Sequence, residues 1–190
     1  EREAMDRLEA ALLKQPGDPD LLYYLSQAHA RLSKQAFQVL AERSPDSPRT
    51  RQMLGEARAA EGNQVAAEEH FRAALSLRSD LRGVHFALGE MYLSSGDFEK
   101  AERESREETR LAPGFAPAAH KLGVVLMNRG EIRAAVAELQ RADGLQPDMP
   151  ETLLELGKAM ALSGEPDAAE KLFRRVLEQE QTSILAESAH

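Results

Sequence analysis

The stretch LGEARAAEG, residues 54–62, has three further copies at intervals of 34 residues: LGEMYLSSG at 88–96, LGVVLMNRG at 122–130 and LGKAMALSG at 156–164. Each copy opens with Leu-Gly and closes with Gly. A third series keeps the same register further along, at Ala67, Ala101, Ala135 and Ala169. Three series in phase at this period are typical of an array of stacked structural repeats.

Each recurring residue has a mechanical explanation. The first glycine falls inside a helical pattern, where it should cost about 1 kcal/mol relative to Ala, so we expect close approach of a neighbouring helix backbone to compensate. The second glycine follows an apolar stretch, as a left-handed residue at a helix C-terminus does. Ala67, Phe71 and Ala74 recur at helical spacing, and Pro113 and Pro147 then end the corresponding helices of later units. Each unit therefore reads as helix, tight turn, helix and short loop.

The best-preserved copy is FALGEMYLSSGDFEKA, residues 86–101, with Leu88, Gly89, Tyr92 and Ala101 in fixed order. This pattern resembles the tetratricopeptide repeat, and the resemblance covers roughly residues 1–180. It implies an all-α fold, a right-handed superhelical solenoid of about five antiparallel helix pairs.

The repeat register divides the chain into one array of successive units. The predicted divisions are a truncated repeat represented by its second helix at 1–17, an irregular unit at 18–47, regular repeats at 48–81, 82–115, 116–149 and 150–183, and a terminal tail at 184–190. The irregular unit is short, since Pro19 precedes Pro48 by only 29 residues. Apolar residues keep helical spacing through it, which predicts one long or kinked helix from about 20 to 44, with a hairpin closed by a short turn as the alternative.

Two other segments depart from the pattern. In AERESREETR, residues 101–110, Ser105 and Glu108 occupy slots where the family prefers Phe and Ala. Because an unpaired buried carboxylate is costly, we expect this helix to be displaced outward or Glu108 to pair with an Arg; the helix would then be a solvated face or a polar patch for a partner. Beyond Gln181, we expect a further first helix to begin and either to cap the last pair or to fray.

The resemblance implies that the first helix of each pair lines a concave groove. The inward positions of these helices are Tyr23, Tyr24, Gln27 and Arg31, then Arg49, Gln52, Met53 and Glu56, then Phe86, Glu90 and Ser94, then His120, Lys121, Met127 and Asn128, and finally Glu151, Glu155 and Lys158. Such a mixed lining suits an extended peptide or a helix, with the aromatic residues as anchors, although each aromatic could instead pack between helices.

Chaperone-binding members of the family hold a C-terminal carboxylate with a Lys followed four residues later by an Asn. The corresponding pairs here are Tyr23/Gln27, Gln52/Glu56, Phe86/Glu90, His120/Val124 and Leu154/Lys158, and none matches. A chaperone tail is therefore not the expected ligand.

Motifs for catalysis and cofactor binding do not occur in the sequence. HExxH, GxxxxGK[ST] and GxSxG are all absent, there is no Cys, and none of the five histidines has a second His four residues later. His120 and Glu90 are the one pair that could meet in the groove. We expect no enzyme activity, no cofactor and no metal.

Charge and hydropathy limit the possible partners. A net charge of −8 disfavours nucleic acid, and no run of about 18 apolar residues predicts a membrane span. We interpret the chain as a non-catalytic scaffold that binds a peptide or protein partner. The alternatives are an array that self-associates through exposed terminal repeats and a regulatory arm of a larger enzyme.

The partner and the compartment stay open at this point. The sequence begins at Glu1 without Met, as an excised fragment would. It fits a soluble cytoplasmic protein or, after removal of a signal peptide, a periplasmic one.

Overall fold

The structure is a computed structural model that describes residues 2–188, with side chains described for residues 3–179 and 181. The regular secondary structure of this part of the chain is entirely helical, which confirms the predicted all-α class. The helices are α1 (Arg2–Leu12), α2 (Pro19–Arg43), α3 (Pro48–Ala60), α4 (Gln64–Leu77), α5 (Val84–Ser95), α6 (Phe98–Leu111), α7 (Ala116–Asn128), α8 (Ile132–Leu145), α9 (Pro150–Ser163) and α10 (Pro166–Ser188).

Tight turns that contain the second glycine of each copy join the helices into pairs. These glycines have positive φ angles, with 77° at Gly62, 79° at Gly96 and Gly130, and 90° at Gly164. At the end of α5 the Gly96 N–H donates to the Leu93 carbonyl and the Asp97 N–H to the Tyr92 carbonyl. The predicted left-handed C-terminal residues are confirmed, and they join α3 to α4, α5 to α6, α7 to α8 and α9 to α10.

The mid-helix glycines make room for side chains rather than for a neighbouring backbone. A Cβ added at these glycines would lie 2.6 Å from the Phe71 ring at Gly55, 2.5 Å from Leu139 Cγ at Gly123, 2.5 Å from the Phe173 ring at Gly157, and 3.0 Å from Ser105 Oγ at Gly89. The nearest atoms are therefore side chains of the second helix, and the expected backbone contact comes second, with the Ala135 carbonyl oxygen at 3.3 Å from the added Cβ at Gly123. At Gly55, Gly123 and Gly157 the side chain of the second helix occupies the space that a Cβ would need.

The first two helices pack more loosely than the rest. Of the two alternatives for residues 18–47, the structure has the continuous helix, α2. The Asp18 carboxylate caps it by accepting from the N–H groups of Asp20 and Leu21 at 2.9 and 3.1 Å. No residue of α2 is buried, whereas every helix from α3 to α9 has buried residues.

The last helix runs on where a new one was expected. α10 passes through residue 181 without a break and continues to Ser188. A further first helix therefore does not begin after Gln181. The packing of side chains 182–188 and the conformation of residues 189–190, on which the capping or fraying expectation rests, lie outside the described residues.

Candidate functional site

The helix contacts define an inner and an outer face. The first helices touch one another in series, α3 with α5, α5 with α7 and α7 with α9. Within the described residues the second helices, α4, α6, α8 and α10, have no such contacts with one another. An array in which one row of helices converges and the other diverges curves toward the first row, so α3, α5, α7 and α9 form the concave side.

One cluster on this side joins α5 to α7. Lys121 Nζ donates to Glu90 Oε1 at 2.7 Å and lies 5.6 Å from the centre of the Phe86 ring. Phe86 packs edge-to-face against Phe115, with 5.5 Å between ring centres. Phe115 is 41% exposed, and Phe86 is half-buried. The structure thus assembles three predicted groove residues and adds Phe115, which the inward helical positions could not include because it precedes α7.

A second cluster lies on α3. Arg49 donates to the Gln52 side-chain oxygen and to the Arg82 carbonyl, and Gln52 Nε2 donates to Glu56 Oε1 at 2.8 Å. Gln52 is buried, while Arg49 and Glu56 are exposed. Gln52 therefore orders its charged neighbours, and these two charges are what the surface presents.

The residues predicted on α7 and α9 have separate partners. His120 Nδ1 is 3.1 Å from Thr152 Oγ1, while Lys158 donates to Glu155 at 2.7 Å. Burial, followed by the charge of Lys121, lowers the pKa of His120. Because Glu90 bonds to Lys121 and His120 to Thr152, the anticipated His120–Glu90 pair is not joined.

The remaining groove positions are surface-exposed or half-buried. Asn128 donates to the Val124 carbonyl and Ser94 to the Glu90 carbonyl, so both side chains bond within their own helix. The half-buried residues are Met53 and Met127, and the exposed ones are Gln27, Arg31 and Glu151.

Tyr23 and Tyr24 stand apart from these clusters. Their rings meet edge-to-face at 5.5 Å, and each is 58% exposed. Among the described side chains, no hydrogen bond or ring contact joins either tyrosine to the predicted groove residues of α3, α5, α7 or α9. They form a second aromatic site on α2.

A buried polar network behind the concave face was missed by the sequence analysis. Glu104 on α6 accepts from His85 Nδ1 at 2.7 Å and from Arg72 Nη2 at 2.8 Å. Arg72 also donates to the Tyr92 hydroxyl, which in turn donates to Glu68. The network ties α4, α5 and α6 together.

Glu108 contradicts the expectation made for it. It is 2% exposed and pairs with no Arg; its carboxylate accepts the Gly83 N–H at 3.0 and 3.1 Å and the Phe86 N–H at 3.2 Å. Gly83, the residue before α5, has no side chain with which to cap that helix. An acidic group at a helix N-terminus accepts hydrogen bonds from the free N–H groups and interacts favourably with the positive end of the helix dipole. Glu108 of α6 therefore supplies the cap that α5 lacks. Two features of the sequence could have indicated this contact: Gly83 cannot cap α5 with a side chain, and α6 carries a carboxylate at a position that is otherwise apolar.

Two further features concern metal binding and membrane insertion. Among the described residues, no group of three or more His, Cys, Asp or Glu is placed to hold a metal ion. No described helix combines the length and apolar character needed to cross a bilayer.

Known proteins share this architecture. Two family models described as tetratricopeptide repeat match, one over residues 126–190 and the other over 83–107. No curated protein sequence matches the chain.

Several solved structures have the same fold. A crystal structure of MamA is 22% identical over 79% of this chain and 88% of its own, with a TM-score of 0.70. MamA 41-end from Desulfovibrio magneticus RS-1 is 19% identical over 95% of both chains, with a TM-score of 0.69. PilF of Pseudomonas aeruginosa is 19% identical over 92% of this chain and 78% of its own, also with a TM-score of 0.69.

The structural neighbours establish the fold, and the family matches include the copies at residues 88–96 and 156–164. With side chains packed on the Leu-Gly glycines and left-handed glycines between the helices, the chain has the tetratricopeptide-repeat fold and matches that family's models over residues 83–107 and 126–190.

Proposed function

We propose that the protein is a non-catalytic scaffold that binds a peptide segment of a partner protein along its concave face. The observation that carries this proposal is the aromatic and charged cluster of Phe86, Phe115, Lys121 and Glu90, which lies on the converging row of first helices. Curved faces of helical repeat arrays serve as extended binding surfaces.

The chemistry of this cluster indicates what would bind there. Exposed, rigid aromatic rings supply apolar area at low entropic cost, which makes them suitable anchors for an apolar side chain. Lys121 and Glu90 present a donor and an acceptor beside the rings. A peptide with an apolar side chain flanked by polar groups would fit, and Arg49 and Glu56 on α3 would extend the polar contacts.

The test is affinity capture from native lysate with two groove variants of the chain. Phe86→Ala with Lys121→Ala removes the cluster between α5 and α7, and Tyr23→Ala with Tyr24→Ala removes the separate site on α2. We expect the first variant to lose captured partners. The second variant shows whether the tyrosines contribute to the same binding, since no contact in the structure links the two sites.

The matched control carries Val65→Ala, Leu77→Ala and Lys171→Ala, three exposed positions on the second helices. It should capture the same partners as the wild-type chain. Capture unchanged in a variant that combines both groove changes would contradict the proposal. Light scattering over a range of concentrations separates partner binding from the alternative of self-association.

A further inference from the structure

The hydrogen bonds that His85 makes depend on the protonation state of its ring. It is 9% exposed, and its two ring nitrogens face different elements. Nδ1 is 2.7 Å from Glu104 Oε2 on α6, and Nε2 is 3.4 Å from the Ser79 carbonyl in the loop between α4 and α5. A backbone carbonyl and an ionised carboxylate can only accept hydrogen bonds. The Glu104 carboxylate also accepts one from Arg72.

We propose that His85 is a proton-controlled clamp that holds the α4–α5 loop and α6 together when both of its ring nitrogens carry hydrogen. Imidazolium donates from both nitrogens, so it satisfies both acceptors at once. Neutral imidazole has a single N–H and keeps one of the two contacts. Loss of the proton leaves either the Ser79 carbonyl or the Glu104 carboxylate without its donor, in a site from which water is largely excluded.

Charged groups of two helices surround His85. The carboxylates of Glu104 and Glu107 on α6 favour its charged form, whereas the guanidinium of Arg72 on α4, which bonds to Glu104, carries a like charge and opposes it. From α3, Arg49 donates to Gln52 and to the Arg82 carbonyl, and from α7, Lys121 bonds to Glu90, which is on α5 itself.

The balance between burial and these charges sets the direction in which the pKa values of His85 and Glu104 shift. Burial opposes the charged ring, but the hydrogen bond and charge of Glu104 outweigh it and raise the pKa of His85. Burial likewise opposes the Glu104 carboxylate, but His85 and Arg72 outweigh it and lower the pKa of Glu104.

The two shifts define a pH window. A raised His pKa contributes stability that is complete below the ordinary His value of about 6.5 and is lost as the pH rises through the folded pKa. A lowered Glu pKa contributes stability that is complete above about pH 4.5 and is lost as the pH falls through the folded pKa. The stabilisation by the clamp is therefore complete from about pH 4.5 to 6.5. It is lost above this range as His85 loses its proton, and below it as Glu104 gains one.

The first measurement is an NMR titration of the His85 ring in the wild-type chain. We expect a pKa above the ordinary His value, with two protonated ring nitrogens in the low-pH form. A pKa at or below that value would overturn the proposal, and this measurement needs no variant that has to fold.

The second measurement is urea unfolding from pH 5.5 to 8.5 with His85→Gln, which keeps a polar side chain but does not titrate. On raising the pH, the unfolding equilibrium constant of the wild-type chain should rise about fivefold more than that of His85→Gln. His29→Gln is the control, because His29 is exposed and reaches only Glu9, at 4.0 Å. This control should keep the wild-type pH dependence, and equal slopes for wild type and His85→Gln would contradict the clamp.

Hydrogen exchange locates the effect. In the wild-type chain, the amides of residues 78–83, which connect α4 to α5, should lose protection above the His85 pKa, after correction for intrinsic exchange. In His85→Gln, the protection of these amides should not change with pH in this way. Neither experiment includes a partner, so its outcome is independent of whether the concave face binds a peptide.

Discussion

The pairs α5–α6 and α7–α8 share one backbone plan but fill it with different chemistry. On α8, Leu139 packs against Gly123 of α7 and Ala142 is buried with it; on α6, the equivalent positions 34 residues earlier are Ser105 and Glu108. All four residues are buried. The position that is apolar as Ala142 is thus acidic and equally buried as Glu108 in the preceding unit.

The position of Glu108 shows that a buried repeat position can hold a polar residue when its contacts are satisfied. Glu108 is tolerated because the Gly83 and Phe86 N–H groups at the start of α5 point at it. Buried polar groups are stable where every donor and acceptor has a partner. The α5–α6 unit has a second polar contact of this kind, between Glu104 and His85, and Arg72 of α4 also donates to Glu104.

The largest expected effect is that of Glu108→Ala, which restores the residue that the family prefers at this position. If apolar character decided stability, the change would stabilise the chain. We expect instead a loss of about 3 kcal/mol in the free energy of unfolding, because the N-terminus of α5 loses its acceptor and a cavity remains.

Urea unfolding of Glu108→Ala measures this loss, with Glu107→Ala as the neighbouring control. Glu107 pairs with Arg110 near the surface and should cost less than about 0.5 kcal/mol. Glu108→Gln keeps one acceptor oxygen and should fall between the two. A stabilised Glu108→Ala variant would mean that the buried carboxylate does not cap α5.

A smaller effect separates the Leu-Gly glycines of the two units. At Gly123 an added Cβ meets Leu139 Cγ at 2.5 Å and the Ala135 carbonyl oxygen at 3.3 Å, whereas at Gly89 it meets Ser105 Oγ at 3.0 Å and the next atoms lie at 3.7 Å. Gly→Ala gains about 1 kcal/mol of helix propensity at either position. We expect Gly123→Ala to destabilise by about 1–2 kcal/mol because overpacking exceeds that gain, and Gly89→Ala to lie within about 0.5 kcal/mol of the wild type.

Thermal and urea unfolding of the two alanine variants compare the sites directly. Gly157→Ala, which faces the Phe173 ring, should behave like Gly123→Ala and serves as a second test of the crowded sites. Equal losses at Gly89 and Gly123 would show that the side chain on the second helix does not set the need for glycine.

The sequence predicted the fold well because its strongest signals are local. Glycine with positive φ, proline after a helix and alanine at helical spacing each act within a few residues, and the structure has the helices, the turns at Gly62 and Gly96 and the long helix α2 accordingly. The 34-residue period then indicated which local units stack.

The site was less predictable because its contacts join different helices. Whether Lys121 meets Glu90 depends on how two helix pairs pack, and whether Glu108 meets the start of α5 depends on how the two helices of one pair pack. No spacing within one helix encodes either contact. The register brought Phe86, Glu90 and Lys121 to the same face, but it omitted Phe115 in the preceding loop. It also assigned Gln52 to the surface, although that side chain is buried between charged neighbours.

The smallest effect tests the one incomplete position in the polar unit. Among the described side chains, Ser105 Oγ is the buried polar atom with no hydrogen-bond partner. A buried hydroxyl without a partner is unfavourable, so Ser105→Ala should stabilise the chain by up to about 1 kcal/mol, less whatever contact the small oxygen makes with Gly89. Ser94→Ala is the control, since the exposed Ser94 hydroxyl donates to the Glu90 carbonyl and its loss should be near neutral. Urea unfolding of the two variants decides the matter: a loss of stability in Ser105→Ala would show that this hydroxyl is bound, and hence that α6 satisfies every polar group it buries against α5.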